Sequence, residues 1–218
     1  MKHGEEESAM RGQIFGATRG LRRATTVASL LVLCAAPAWA GAPTDQLKQY
    51  TNEVLKILDD PKLRGEGQAL QRRAAVRKVA LDVFDVGETA KRALGRHWGA
   101  RTPEERREFT DLFADLLERT YLSRIDQYGG EKVQYVSEAI DGDNAIVRAK
   151  VITRKGAEVP VESRLLRHGD RWLMYDVLLE NISLVGNYRA QFDQIIRQSS
   201  YDELAKRLRD KRSDPSRP

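Results

Sequence analysis

Between residues 45 and 58 the apolar side chains Leu47, Tyr50, Val54, Leu55 and Leu58 recur at intervals of three and four, which puts them on one side of a helix. Pro61 and the pair Gly65 and Gly67 interrupt the pattern, and a second helix is predicted over residues 68–81. The run FDVGETAKRALGRHW reads as a bend followed by a short helix that stops near Gly95 or Gly99. The clearest helix starts at Thr102. Thr102 stands at the N-cap, Pro103 at the first helical position, and Glu105 completes a capping box. Phe109, Leu112, Phe113, Leu116, Leu117 and Tyr121 then form a wide apolar stripe, and Gly129-Gly130 closes the segment.

From Lys132 the period drops to two, and four strands are predicted over residues 132–140, 144–154, 158–167 and 171–179. Their links are short and contain Gly142, Gly156 and Gly169, so neighbouring strands are antiparallel. Ala145, Val147, Ala149 and Val151 share one face of their strand while Arg148 and Lys150 take the other, as in a half-buried sheet. Beyond Asn181 the period turns helical again, with Tyr188, Phe192, Ile195 and Ile196 on one side. Ser200 and Glu203 open a last helix carrying Tyr201, Leu204 and Leu208. Helices, then a four-stranded antiparallel sheet, then helices make an α+β domain in which helices cover one sheet face. The charged stretch 209–218 is expected to be a disordered tail.

Composition adds a compartment. Arg19, Arg22 and Arg23 precede an apolar run over residues 24–36 and then Ala38-Trp39-Ala40, the three regions of a secretory signal with cleavage before Gly41. The run is shorter than the ~20 residues a membrane span needs. Cys34, the one cysteine, lies inside it behind Leu33, where a lipoprotein signal wants a small residue. One domain of ~180 residues remains, without a thiol. The chain has 37 basic and 32 acidic side chains, dispersed among one another, which argues against a nucleic-acid groove.

Candidate chemistry is sparse. Beyond residue 40 the only histidines are His97, beside Trp98 at a helix end and read as a capping or packing residue, and His168, read as a solvated hairpin residue. Neither has the neighbours of a metal site, and the chain contains no HExxH, GxxxxGK[ST] or GxGxxG motif. Asp176, between apolar strand residues, either ties down a neighbouring backbone or arginine or serves as a general base. Arg189 either pairs with Asp176 or meets a ligand phosphate. The apolar stripes read as core, and periodicity alone does not separate a packed interior from one held open.

Two segments carry a resemblance. WLMYDVLLENISLVGNYRAQF is similar to the C-terminal pattern of the MlaC/Ttg2D family of periplasmic phospholipid-binding proteins, matched by Trp172, Asp176, Val177, Ser183, Leu184, Asn187, Tyr188, Arg189, Gln191 and Phe192. VFDVGETAKRALGRHWGARTPEERREFTDLFADLLERTY resembles its central segment through Phe84, Asp85, Ala90, Leu94, Gly95, Trp98, Phe109, Phe113, Leu117 and Tyr121. The chain departs from the family at Val86, Gly87 and Asn181-Ile182, where the family favours phenylalanine, a bulkier residue and a glycine turn.

The resemblance implies that the helices and sheet enclose an apolar lipid cavity, and that the acyl chains of a phospholipid cargo meet Phe84, Trp98, Phe109, Phe113, Leu116, Leu117, Tyr121, Val147, Val151, Leu165, Val177, Tyr188 and Phe192. Asp176 and Arg189 take structural or headgroup roles. It implies a monomeric periplasmic carrier without cofactor, metal or stable membrane insertion. Its partners would be an inner-membrane ABC-type lipid transport complex and an outer-membrane lipoprotein complex, and the traffic would maintain outer-membrane lipid asymmetry. The alternatives are a protein-binding adaptor with a filled core, and a small hydrolase or isomerase using Asp176.

Overall fold

The computed structural model describes residues 42–63, 65–122 and 128–213. The expected signal and Cys34 lie outside the described residues, as do positions 214–218. Four helices come first: α1 (Pro43–Asp59), α2 (Ala69–Val83), α3 (Val86–Leu94) and α4 (Pro103–Leu122). The sheet follows as β1 (Lys132–Asp141), β2 (Asn144–Ile152), β3 (Glu158–His168), β4 (Arg171–Leu179) and β5 (Ile182–Ser183), then α5 (Leu184–Gln198) and α6 (Tyr201–Ser213). The strands pair antiparallel in chain order. The fold is α+β, as the periodicities require.

The sheet has five strands where four are expected. β5 has two residues, too few to show a period, and it pairs Ile182 with Leu179 and Ser183 with Leu178. The turn before it places Glu180 and Asn181 at φ 50 and 67, a two-residue link whose twist matches the flanking strands. Asn181 thus supplies the left-handed backbone for which glycine is the usual choice. The charged C-terminal stretch also differs from expectation, since α6 is helical to Ser213. Its charges have partners on α4: Arg209 pairs with Glu108, Arg212 with Asp115, and Arg119 donates to the Lys211 and Arg212 carbonyls at the α6 C-terminus.

Helix starts follow the capping logic. Thr102 Oγ1 accepts from the Glu105 N–H at 3.2 Å, and the Glu105 carboxylate accepts from the Thr102 N–H at 2.7 Å. Asp85 caps α3 through the Glu88 N–H, and Ser183 caps α5 through the Gly186 N–H.

Two solid cores result. One lies within the helical layer, where Phe109, Phe113 and Phe192 pack with Ala90, Leu94, Val185 and Leu204. Phe109, Phe113, Tyr188 and Phe192 form a mostly edge-on aromatic cluster with centroids 5.1–5.9 Å apart. The second joins α1 and α2 to the sheet through Leu47, Val83, Ala145, Val147, Leu165, Trp172 and Met174.

A bulge in β4 governs how the layers meet. Arg164 of β3 pairs with Asp176 and Leu165 with Met174, so Tyr175 has no partner on β3. The bulge keeps Met174 and Val177 on one face although three residues apart, because their partners Leu165 and Ser163 are two apart. The Thr89 hydroxyl of α3 donates to the Asp85 carbonyl at 2.6 Å and shares its proton with the Tyr175 carbonyl at 3.1 Å. On one side of it the Met174 carbonyl accepts from the Asp85 N–H at 2.9 Å. On the other, the buried Asp176 carboxylate accepts from Ser183 Oγ at 2.6 Å and the Val185 N–H at 3.0 Å.

Asp176→Ala should lower stability by about 2–3 kcal/mol, because it strands a buried N–H and a hydroxyl that had a charged acceptor. Urea unfolding measures this, and a change within about 0.5 kcal/mol would reject the anchoring role. A second expectation concerns Tyr201, whose hydroxyl donates to the Glu105 carbonyl at 3.0 Å. Burial, aided by the Glu105 and Glu108 carboxylates, pushes its phenol up to about 12. The neutral form is therefore favoured by folding, and this stabilisation is present below about pH 10 and lost as pH rises towards 12. Thermal melts at about pH 9 and 11 should show a smaller loss for Tyr201→Phe than for the wild type.

Candidate functional site

Between the elements lies an apolar cavity of about 620 Å³. Its walls come from α2 (Ala80, Leu81) and Phe84 just beyond it, α4 (Phe113, Ala114, Leu117, Tyr121, Leu122), β4 (Val177, Leu179) and the β5–α5 junction (Ile182, Leu184). Helix geometry explains the α4 wall. Phe109, Phe113, Leu117 and Tyr121 lie four residues apart on one row, which begins in the helical core at Phe109 and runs out along the cavity from Phe113 to Tyr121, while Leu112 and Leu116 on the neighbouring row meet that core. The bulge explains the β4 wall, since it turns Val177 and Leu179 to the face that already carries Met174.

Polar groups lie among this apolar lining: Arg77 and Glu118, which pair with each other, with Glu180 and Asn187. Leu81, Leu179 and Ile182 line the cavity yet are 50%, 50% and 65% exposed, so its edge is an apolar surface in contact with water. A second cavity of about 350 Å³ lies against α1, lined by Tyr50, Val54, Leu55 and Leu58 with Val79, Val83, Val133 and Met174. Glu131 also lines it, and the Gly129 N–H holds the Glu131 carboxyl below the usual carboxylate range.

The structure divides the residues singled out from sequence. Phe84, Phe113, Leu117, Tyr121 and Val177 come together around the larger cavity. Phe109 and Phe192 are buried in the helical core, with Trp98, Leu116 and Tyr188 packed against it. Val147 and Leu165 fill the core under the sheet, and Val151 is half-buried near the end of β2, paired with Val133 and Val159. The α5 row from Tyr188 to Ile196 faces the helical core, and α5 reaches the larger cavity through Leu184 and Asn187.

The polar residues resolve as well. Asp176 ties down the backbone at Val185, with Arg164 Nη1 at 4.0 Å. Arg189 has a backbone partner on α3. Its Nε donates to the Arg92 carbonyl at 2.6 Å, a group reached because α3 ends at Gly95 with φ +57. A Cβ at Gly95 would lie 3.2 Å from Arg189 Cδ. His97 Nε2 meets Asp193 Oδ1 at 2.7 Å, a contact that lowers the Asp193 pKa. His168, expected to be solvated, is half-exposed and pairs with Asp85 at 2.9 Å.

Leu81, Ala114, Leu179 and Ile182 were not singled out from sequence. A signal for Leu81 existed in α2, where apolar residues occupy two faces: Val76, Val79 and Val83 are buried, while Ala80 and Leu81 line the cavity. Among the described residues there is no cluster of three metal-ligating side chains and no helix long and apolar enough to cross a membrane.

A family model described as MlaC protein matches residues 48–210. The chain belongs to the MlaC family. It is 24% identical over 148 residues to the intermembrane phospholipid transport system binding protein MlaC of Haemophilus influenzae, covering 66% of this chain and 69% of that protein. Against toluene tolerance protein ttg2D of Pseudomonas putida it is 26% identical over 179 residues, covering 79% and 83%. Among solved structures it is similar to a phospholipid-binding protein from Ralstonia solanacearum in complex with a phospholipid. The TM-score is 0.70 at 25% identity, and the match covers 81% of this chain and 99% of that one.

Phe109→Ala should cost about 3–5 kcal/mol, since it opens a hole in a packed core. Leu117→Ala, two turns further along the same row, should cost no more than about 2 kcal/mol because its side chain already borders empty space. Equal losses in denaturant titrations would contradict the division between the solid and open ends of this row.

Proposed function

We propose that this protein is a periplasmic phospholipid carrier, with residues 41–208 forming the lipid-binding domain behind a cleaved signal at 1–40. The observation that carries the reading is the apolar cavity of about 620 Å³ between α2, α4 and β4. It is supported by family membership and by relatives whose names specify phospholipid transport and phospholipid binding.

The energetics suit a carrier. At roughly 30 Å³ for a group the size of water, the cavity accommodates about 20 methylene-sized groups. Burying about 15 methylenes of one acyl chain is worth on the order of 12 kcal/mol relative to water. A bilayer offers nearly the same, so exchange between membrane and carrier is close to balanced and needs no chemical step at the carrier. Direction then comes from the partners, an inner-membrane ABC-type complex at one end and an outer-membrane lipoprotein complex at the other. The exposed rim of Leu81, Leu179 and Ile182 gives lipid an apolar route in and out.

Both alternatives fit less well. A protein-binding adaptor requires a filled interior, whereas two apolar cavities lie between the helices and the sheet. A hydrolase or isomerase would need Asp176 aimed into a cavity, whereas its carboxylate oxygens accept from Ser183 and Val185.

Purified chain beginning at residue 41, exposed to phospholipid vesicles and re-isolated, should carry phospholipid by native mass spectrometry. Ala114→Phe, which projects a ring into the cavity, should lower uptake by about tenfold while the thermal melt holds or rises. A wild-type protein that is ligand-free from cells and takes nothing from vesicles would sink the reading.

A further inference from the structure

The two cavities have two side chains in common, Ala80 and Phe84. Ala80 contributes a methyl group, so the ring of Phe84 is the one bulky side chain, among the described residues, that lines both. We propose that Phe84 divides a forked acyl-chain site, sending one chain of a diacyl lipid along α4 and β4 and the other along α1. This rests on the carrier reading and assigns Phe84 the parting of the two chains of its cargo.

Volume is the first argument. Two chains of about 15 methylenes require room for about 30 groups, and at roughly 30 Å³ each the larger cavity holds about 20. The smaller cavity, at about 350 Å³, holds roughly 12 more on the same measure. A diacyl lipid is therefore accommodated when it occupies both cavities, and to do so it must straddle the wall they share.

Anchoring is the second. The Phe84 N–H donates to the Ala80 carbonyl at 3.0 Å and the residue leaves α2 extended, at φ −93 and ψ 135. Phe84 forms an isolated bridge to Met174, and the next residue, Asp85, donates its N–H to the Met174 carbonyl. The Asp85 carboxylate in turn caps α3 and pairs with His168. The root of the ring is thus fixed to α2, α3 and the β3–β4 hairpin at once. The ring, partly buried against the core under the sheet, is the post around which the chains part.

Lining chemistry is the third. The smaller cavity is walled by the apolar row of α1, and Glu131, held ionised by the Gly129 N–H, is its charged lining residue. That surface suits hydrocarbon and disfavours an anionic headgroup, as an acyl branch requires.

The test offers the chain from residue 41 vesicles containing equal amounts of diacyl and monoacyl phosphatidylglycerol of one chain length. Native mass spectrometry then counts the lipids retained. Wild-type protein should retain mainly the diacyl form. Phe84→Trp, which thickens the wall, should shift retention towards the monoacyl form by about tenfold or more. In parallel, wild-type protein is loaded with diacyl lipid bearing a diazirine at the end of one chain or the other, and the labelled peptides are mapped. Label should appear both on α1, at residues 47–58, and on α4, at residues 113–122. Diacyl binding with label confined to one helix, or with unchanged selectivity in a folded Phe84→Trp protein, would overturn the fork while leaving the carrier reading intact. Wild-type protein that retains neither lipid would overturn both.

Discussion

Three consecutive residues of β4 hold the helical layer to the sheet, and the open interior depends on them. Met174 receives the start of α3 through its carbonyl, Tyr175 receives Thr89, and Asp176 receives the start of α5. These are polar contacts of fixed length, unlike the collapse of one apolar face on another. The bulge at Tyr175 completes the set, because in unbroken pairing the carbonyls of β4 alternate in direction and Tyr175 would face β3 where Met174 faces away from it. The layers are therefore tied along a seam, and each closes into solid core only where side chains are long enough to meet. Phe109 and Phe192 do so within the helices, and Leu47, Leu165 and Trp172 do so under the sheet.

Between those cores the apolar faces stay separated. Leu117 and Tyr121 on α4 and Val177 and Leu179 on β4 border the same space without filling it. An interior of this kind forfeits packing that a filled core would supply, and the large aromatic cluster of α4 and α5 is where the domain recovers it. Cavity and core are thus two uses of one amphipathic helix. The Phe109 end of its apolar row fills the helical core, and the Leu117 end borders the cavity.

Much of the architecture could be read from residue order. The capping box at Thr102 and Glu105, the antiparallel hairpins and the handover from strand to helix after Asn181 all follow from local chemistry, which a sequence displays directly. What escaped depends on partners far along the chain. β5 is too short to have a period, α6 is extended by charges whose partners belong to α4, and Arg189 finds a carbonyl freed by the backbone at Gly95. The site was legible only in part for the same reason. Phe84 and Tyr121 were singled out, but so were Phe109 and Val147, because periodicity records that a face is apolar and not whether anything fills the space opposite it.

The claim that these faces are held apart to admit lipid is tested most directly by a crystal structure of the protein loaded with diacyl phospholipid. The account predicts continuous acyl density between Leu117 on α4 and Val177 on β4, with the Met174, Tyr175 and Asp176 contacts intact. A structure in which Phe113, Leu117 and Tyr121 close onto Val177, with the lipid absent or held on the outer surface, would contradict it.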